Sequence, residues 1–389
     1  MSQSETPIVV HRFLHWKEKA DVAKRAAAAS ALARAYLFSD MGFEERCAAE
    51  AALTELTDDP SPRVRMALAE ALATSPRAPE QILIALLGDR FDIAALIAVR
   101  SPRIRETDLI DRVRYGDQRL QVLIAERSEV GRMLALALAR YGGPDAAYAL
   151  IGNPNARVCQ ECRKLLVERF GDDPNVRSAL LDLTTLEPLL RYRLLDAASN
   201  ALSNTPFVRA VIGADRATDT AEASLQRSLV QLLDHVHGVA CEGLVDALRE
   251  DGRLTTALIL RSACHGHLDF ISAVVADLTN GARTAVIDAF ASARESQLHA
   301  LLSKAQFNQQ VATVLASAIC AWRAVGQGRS SAGVQEITYA ILQGVAEEVS
   351  GVHDPANDDI EGLLRAIYLD EMRKNARSHA RAVANTVAA

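Results

Sequence analysis

At 389 residues the chain is long enough for two or three ordinary domains or one elongated repeat array, and its 49% hydrophobic residues can bury a large core. Aromatics supply only 5%, so the apolar content is mainly aliphatic and small, which suits helix on helix better than a sheet core. A formal charge of −6, from 43 basic and 49 acidic residues, argues against nucleic acid or an anionic membrane as the default partner.

Met1 to Trp16 carries only the short apolar run Ile8-Val9-Val10 before His11 and Arg12, so no secretory signal is expected. No apolar run approaches the ~20 residues of a membrane span. Six cysteines in no regular framework are expected to be reduced thiols, and the chain is read as cytoplasmic. Ala20 to Leu37 is Ala-rich and Glu44 to Leu56 is amphipathic. Residues 1–56 are therefore expected to form an N-terminal helical cap on whatever follows.

From residue 57 the sequence repeats itself. Ser75-Pro76-Arg77 recurs as Ser101-Pro102-Arg103, with a decayed third copy at Ser128-Glu129-Val130. Ala95-Leu-Ile-Ala-Val-Arg100-Ser101 lines up with Val122-Leu-Ile-Ala-Glu-Arg127-Ser128, and Gly88-Asp89 with Gly116-Asp117. These offsets of about 27 residues fit stacked supersecondary units. Each unit reads as two short helices. Asp59-Pro60-Ser61-Pro62 opens one with Val64, Leu68, Ala71 and Leu72 at helical spacing, and Ser75-Pro76 ends it. Ile82, Leu83, Leu86 and Leu87 carry the next, which Gly88 closes. A single pair leaves apolar faces exposed, and stacking covers them.

Asn153-Pro154-Asn155-Ala156-Arg157-Val158 and Asp172-Asp173-Pro174-Asn175-Val176-Arg177 echo the opening at Asp58-Asp59-Pro60-Ser61-Pro62-Arg63-Val64-Arg65. This pattern resembles HEAT-type repeats, although the units are shorter than the ~40–47 residues usual there. The resemblance implies that Asp59 with Arg65, and Asp173 with Arg177, cap helices and bond neighbouring units. Helices are expected to continue over 180–250, with a loop near Gly213-Ala214-Asp215. One helix is expected to end near Cys264, Gly266 to turn the chain, and Leu268 to Leu278 to form the next. With the repeats, the stretch from Leu254 to Leu278 resembles an uncharacterised bacterial family of helical proteins, the domain of unknown function of the 2336 type. That resemblance spans roughly residues 40–310 and implies a HEAT-like fold without an activity. The expected fold is all-α: a right-handed α-solenoid of short HEAT-like helix pairs over 57–325, with helical extensions. Residues 326–389 then hold a linker at 326–333 and a C-terminal amphipathic helix through Ile360, Leu363, Leu364 and Ile367, basic at its end.

Two groups have imaginable site chemistry. Cys159-Gln-Glu-Cys162 has the spacing of a zinc ligand pair or a redox dithiol, but no second such pair and no βαβ context accompany it. Val158, Cys162, Leu165, Leu166 and Phe170 share one helical face, so Cys162 is read as a small core residue. His235, His237, Cys264, His265 and His267 can make a metal site only if their helices fold together. His265 can instead serve the last carbonyls of its helix. Nucleotide, protease and hydrolase motifs are absent, as are the His-Glu dipeptides of metal-dependent hydroxylases of HEAT-like fold.

Charge is uneven. Residues 63–140 hold thirteen Arg and ten acids, +3 against −6 overall. Many of these Arg are expected to tie repeats together, and a row of them can bind an anionic partner. The preferred reading is a non-catalytic protein-protein interaction scaffold with no cofactor and no metal, taking a protein partner, with an acidic one among the options, through Arg77, Arg100, Arg103 and Arg105. The alternatives are nucleic-acid binding through the Arg-rich repeats, and a metal-dependent enzyme built on the His/Cys group.

Overall fold

A computed structural model describes residues 15–348 and 355–387, and the Ile8–Val10 run lies outside them. The described residues are helical throughout, apart from one isolated parallel bridge between Val130 and Ala156. None of their helices is long and apolar enough to cross a membrane. The chain divides into two compact units, Met1–Leu186 and Glu187–Ala389.

The first unit holds α1 (Val22–Phe38), α2 (Phe43–Thr57), α3 (Pro62–Leu72), α4 (Glu80–Leu87), α5 (Phe91–Arg100), α6 (Glu106–Tyr115), α7 (Gln118–Ala125), α8 (Arg132–Tyr141), α9 (Pro144–Gly152), α10 (Gln160–Phe170) and α11 (Pro174–Leu181). These bounds follow the local chemistry. Pro62, Pro144 and Pro174 stand in first turns, where a missing N–H costs nothing. Asp117 and Asp173 cap α7 and α11 through their carboxylates. The odd-numbered helices α1 to α11 pack each against the next in that series, and the even-numbered ones run alongside. In the even row α2 packs on α4, and α6 on α8 on α10, while α4 and α6 lack comparable packing.

Helices of 8–11 residues leave much of their backbone without an internal partner, because the last four carbonyls of each have none. Side chains about one repeat further on supply the donors. Arg127 donates to the carbonyls of Ala98 and Ser101, the latter at 3.1 Å. Asn153 Nδ2 donates to Ala125 and Arg127, both at 2.8 Å. Arg169 reaches Ala139 at 2.6 Å and Gly142 at 3.0 Å. Buried Gln121 joins three helices, donating to the Val113 carbonyl at 2.7 Å and accepting from the Gly143 N–H at 3.1 Å.

The Asp–Arg pairs differ in detail from their expected partners. Asp59, fully buried, accepts from the Ser61 N–H at 2.9 Å and pairs with Arg25 at 2.8 Å. Arg65 instead bridges to Asp89 at 2.5 Å and donates to the Asp59 carbonyl at 2.6 Å. Burial works to raise both carboxyls, but the guanidinium hydrogen bonds, the backbone N–H groups of Ser61 and Arg90 and the nearby positive charge together outweigh it and hold Asp59 and Asp89 below the ordinary carboxylate value. Asp173 caps its own helix, and Arg177 serves the Gly171 and Asp172 carbonyls rather than that carboxylate.

The second unit holds α12 (Pro188–Asn204), α13 (Pro206–Ile212), α14 (Ala214–Leu233), α15 (Val239–Glu250), α16 (Thr256–Cys264), α17 (Leu268–Thr279), α18 (Arg283–Ser292), α19 (Glu295–Lys304), α20 (Gln309–Gly326), α21 (Val334–Glu348) and α22 (Pro355–Val387). The loop expected at Gly213-Ala214-Asp215 shrinks to Gly213 alone, at φ +89, since Ala214 already starts α14. The hairpin of α16 and α17 is the centre of this unit. Leu258 to Leu260, Ser262 to Cys264 and Phe270 to Ala276 are all buried, the signature of a helix covered on every side. Helices α14, α17, α20, α21 and α22 all pack on α16. Residues 327–333 form the turn expected from their composition, and α21 beyond it packs back on α20. Helix α22 lies on α21 and α16 of its own chain through Ile360, Leu364 and Ile367.

The joint between α16 and α17 depends on Gly266 at φ +82. The Gly266 N–H bonds to the Ala263 carbonyl at 3.1 Å and the His267 N–H to Ser262 at 3.0 Å, the paired bonds of a left-handed helix stop. Trp322 seals this end. Its Nε1 donates to the Ala263 and Cys264 carbonyls at 3.0 and 3.2 Å, and a Cβ on Gly266 would lie 2.8 Å from its ring.

Two measurements test these constraints. In denaturant titrations Arg127→Ala should lose about 1–3 kcal/mol by orphaning helix-end carbonyls, while Arg100→Ala, at the equivalent repeat position but exposed, should leave the midpoint unchanged. Gly266→Ala should cost about 2 kcal/mol or more, from the left-handed backbone and the collision with Trp322, and should disturb tryptophan fluorescence.

Candidate partner-binding groove

The repeat brings two of the four singled-out arginines to equivalent places. In the joints before α4 and α6, Ser75 and Ser101 hydroxyls accept from the N–H of Arg77 and Arg103, at 3.1 and 3.3 Å. The same small turn recurs in both joints and throws both side chains into solvent. In the third copy Val130 takes that position. It is buried and bridged to Ala156, so the arginine row ends there.

Arg77 and Arg103 line one open groove of about 450 Å³ with Arg105, Tyr36, Glu50 and Glu80. It lies where α4 and α6 pack least closely in the even row. Arg105 pairs with Glu80 at 2.7 Å and Asp108 at 3.2 Å, so it pins the starts of these helices to each other. Glu50 is taken by the Tyr36 hydroxyl, and Arg46 lies 5.0 Å over the Tyr36 ring. Both carboxylates of the groove therefore have partners, whereas the guanidinium groups of Arg77 and Arg103 have none among the described residues. Two exposed forks without a counter-charge are matched to carboxylate or phosphate. Arg100 is exposed but does not line the groove.

A second basic surface was visible as a triplet that the sequence reading passed over. Arg114-Tyr115-Gly116, Arg140-Tyr141-Gly142 and Arg169-Phe170-Gly171 recur at the ends of α6, α8 and α10. The Arg114 guanidinium lies 5.2 Å from the Tyr115 ring centre and 5.3 Å from that of Tyr141, both exposed rings. Arg140 faces Glu161 at 3.7 Å, and Arg169, over the Phe170 ring at 4.5 Å, is used in holding the fold.

His265 and His267 stack with ring centres 6.0 Å apart, but these two and His237 each take their own carboxylate, while His235 is exposed. His267 Nε2 meets Asp234 at 2.9 Å, His265 Nε2 meets Glu371 at 3.2 Å, and His237 meets Asp269 at 3.4 Å. His265 also places Nδ1 2.8 Å from the Arg261 carbonyl, the helix-end role expected of it. Cys264 is buried and its thiol pushed up to about 11 by burial. No group of three or more His, Cys, Asp or Glu able to hold a metal ion occurs among the described residues.

No curated protein and no solved structure matches the chain. Residues 93–350 match a family described as "Uncharacterised protein conserved in bacteria (DUF2336)". The match begins later and ends later than the span of 40–310 expected from the repeats, and leaves α1 to α4 outside it. With about two thirds of its length inside that match, the chain belongs to the DUF2336 family.

Proposed function

We propose that this chain is a non-catalytic, cytoplasmic scaffold that binds an acidic protein segment in the groove lined by Arg77, Arg103 and Arg105. The alternating rows of short helices in the first unit support the HEAT-like reading there, and we read 57–325 as the solenoid array, with 1–56 as its cap and 326–389 as its C-terminal extension. The observation that carries the proposal is the pair of unpartnered, repeat-equivalent arginines beside carboxylates that already have partners. An incoming carboxylate there gains two forked donors, while Glu80 is already paired with Arg105 and Glu50 is hydrogen-bonded by the Tyr36 hydroxyl. Arg105 acts on the groove's rim by keeping Glu80 occupied. Arg100, exposed and outside the groove lining, is not part of this contact.

The Arg114–Tyr115–Tyr141 cluster favours a second reading, nucleic-acid binding, because two exposed rings that share one guanidinium offer a platform for unpaired bases. The two readings use different residues. In pull-downs from native lysate, Arg77→Glu with Arg103→Glu should lower capture of a protein partner by roughly a hundredfold, since opposed like charges cost several kcal/mol. Melting temperature should stay unchanged, because neither side chain has a partner to lose. Full capture by the double variant would reject the groove. Recovery of nucleic acid, lost on nuclease treatment and sensitive to Tyr115→Ala, would replace the scaffold with the second reading.

A further inference from the structure

The first turn of α10 carries chemistry that the groove does not use. Cys159 is the residue capping the helix start and Cys162 lies three places on, with sulfurs 3.2 Å apart. Cys162 is buried and Cys159 half-buried, so one sulfur is open to attack and the other is shielded behind it. The segment that delivers Cys159 is held firmly. Asn153 anchors it to the Ala125 and Arg127 carbonyls, and the Arg157 N–H bonds to the Val130 carbonyl at 3.0 Å.

The surroundings separate the two thiols. Burial works to raise Cys159, but the backbone N–H and thiol of Cys162 and the guanidinium of Arg132 outweigh it and hold Cys159 below the ordinary thiol value. Burial, aided by the neighbouring sulfur, pushes Cys162 up to about 12. Around the turn Glu161 faces Arg140 at 3.7 Å and Arg163 donates to the Val158 carbonyl at 3.0 Å. An accessible sulfur more acidic than an ordinary thiol, in contact with a shielded, less acidic one, is the division between attacking and resolving groups in thiol–disulfide exchange. A surrounding sheet is not needed for this. The essential part is a helix start with its free N–H groups, and α10 provides one. The other four cysteines, Cys47, Cys241, Cys264 and Cys320, have no second sulfur in contact among the described residues.

We propose that Cys159 and Cys162 form a redox-active dithiol that exchanges with low-molecular-weight disulfides. The Cys159 thiolate attacks one sulfur of the small disulfide, forming a mixed disulfide and expelling one thiolate, which takes a proton from solvent. Cys162 then gives up its proton, and its sulfur attacks the Cys159 sulfur and expels the second thiolate. Two protein thiols become one disulfide while one small disulfide becomes two small thiols. The bond stays within a single helical turn and joins no two elements.

The test uses the full-length protein, reduced, desalted and equilibrated with mixtures of glutathione and glutathione disulfide. After acid quenching and alkylation, tryptic mapping reads the peptide from Val158 to Arg163, which contains both sulfurs. The expected result is reversible loss of two hydrogens from that peptide as the disulfide fraction rises, with the circular dichroism unchanged. Cys162→Ala should accumulate glutathione on Cys159, and in that variant Cys159 should alkylate several-fold faster at neutral pH than exposed Cys47. The wild-type peptide readout does not depend on how well the variant folds. A peptide that stays reduced in excess glutathione disulfide, or glutathione collecting on Cys47 in preference to Cys159, would overturn the proposal.

Discussion

The constraint from which the rest follows is the shortness of the helices. A helix of eight residues cannot satisfy half of its own carbonyls, and a stack of such helices would be riddled with unpaired acceptors. Here the missing donors come from side chains 26–30 residues further on: Arg127, Asn153 and Arg169 in the first unit, and Arg323, reaching the Ala293 carbonyl at 2.7 Å, in the second. Each such bond joins two turns of the repeat and fixes their register. Apolar packing supplies cohesion without direction, and these donors supply the direction. Arginine suits the task because one planar fork can satisfy two carbonyls at once.

This divides the arginines of 63–140 into two populations that look alike in the sequence. Arg65 and Arg127 are used internally, and burial draws Arg127 below its ordinary basicity. Arg77 and Arg103 are held outward by the serine turn before them. A positive surplus counted over the whole span therefore overstates the charge available to a partner. The quantity that matters is the charge left after internal pairing, and in the groove that reduces to two guanidinium groups.

Much of the fold was legible. Proline in first turns, Gly88 and Gly266 after last turns, and the 3.6 period placed α3, α4, α16 and α17 to within a residue or two. The partners of the polar residues were not legible. Ala95–Ser101 and Val122–Ser128 are nearly the same string, yet Arg127 finds carbonyls and Arg100 finds water. A partner some 27 residues away is set by the lengths of the intervening joints, and 73–79 is two residues longer than 101–105. For the same reason Asp59 takes Arg25, which no repeat pattern points to, rather than Arg65. The groove was half legible. Arg77 and Arg103 announced themselves by recurrence, while Tyr36 and Glu50 reach it from α1 and α2, which carry no repeat signal.

The residues capping the starts of the even helices show why chemistry gathers there. Helices α4, α6, α8 and α10 are preceded by Pro79, Arg105, Gly131 and Cys159, none of which caps its helix with a side-chain oxygen. In α8 the duty passes to Glu106 from the preceding repeat, which accepts from the Leu134 N–H at 2.8 Å. In the odd row, by contrast, Asp21, Asp117 and Asp173 cap their own helices. Those three odd-row starts are thus tied to capping, and a change there loses about 1 kcal/mol of helix stability, whereas Ser61, Arg90 and Gly143 ahead of α3, α5 and α9 make no such bond. Even-row starts are free of that demand, so Arg105 can bridge to Glu80 and Cys159 can carry a sulfur without weakening a cap. The joints feeding α4 to α10 carry no such cap of their own, and they are where binding and redox chemistry can be added.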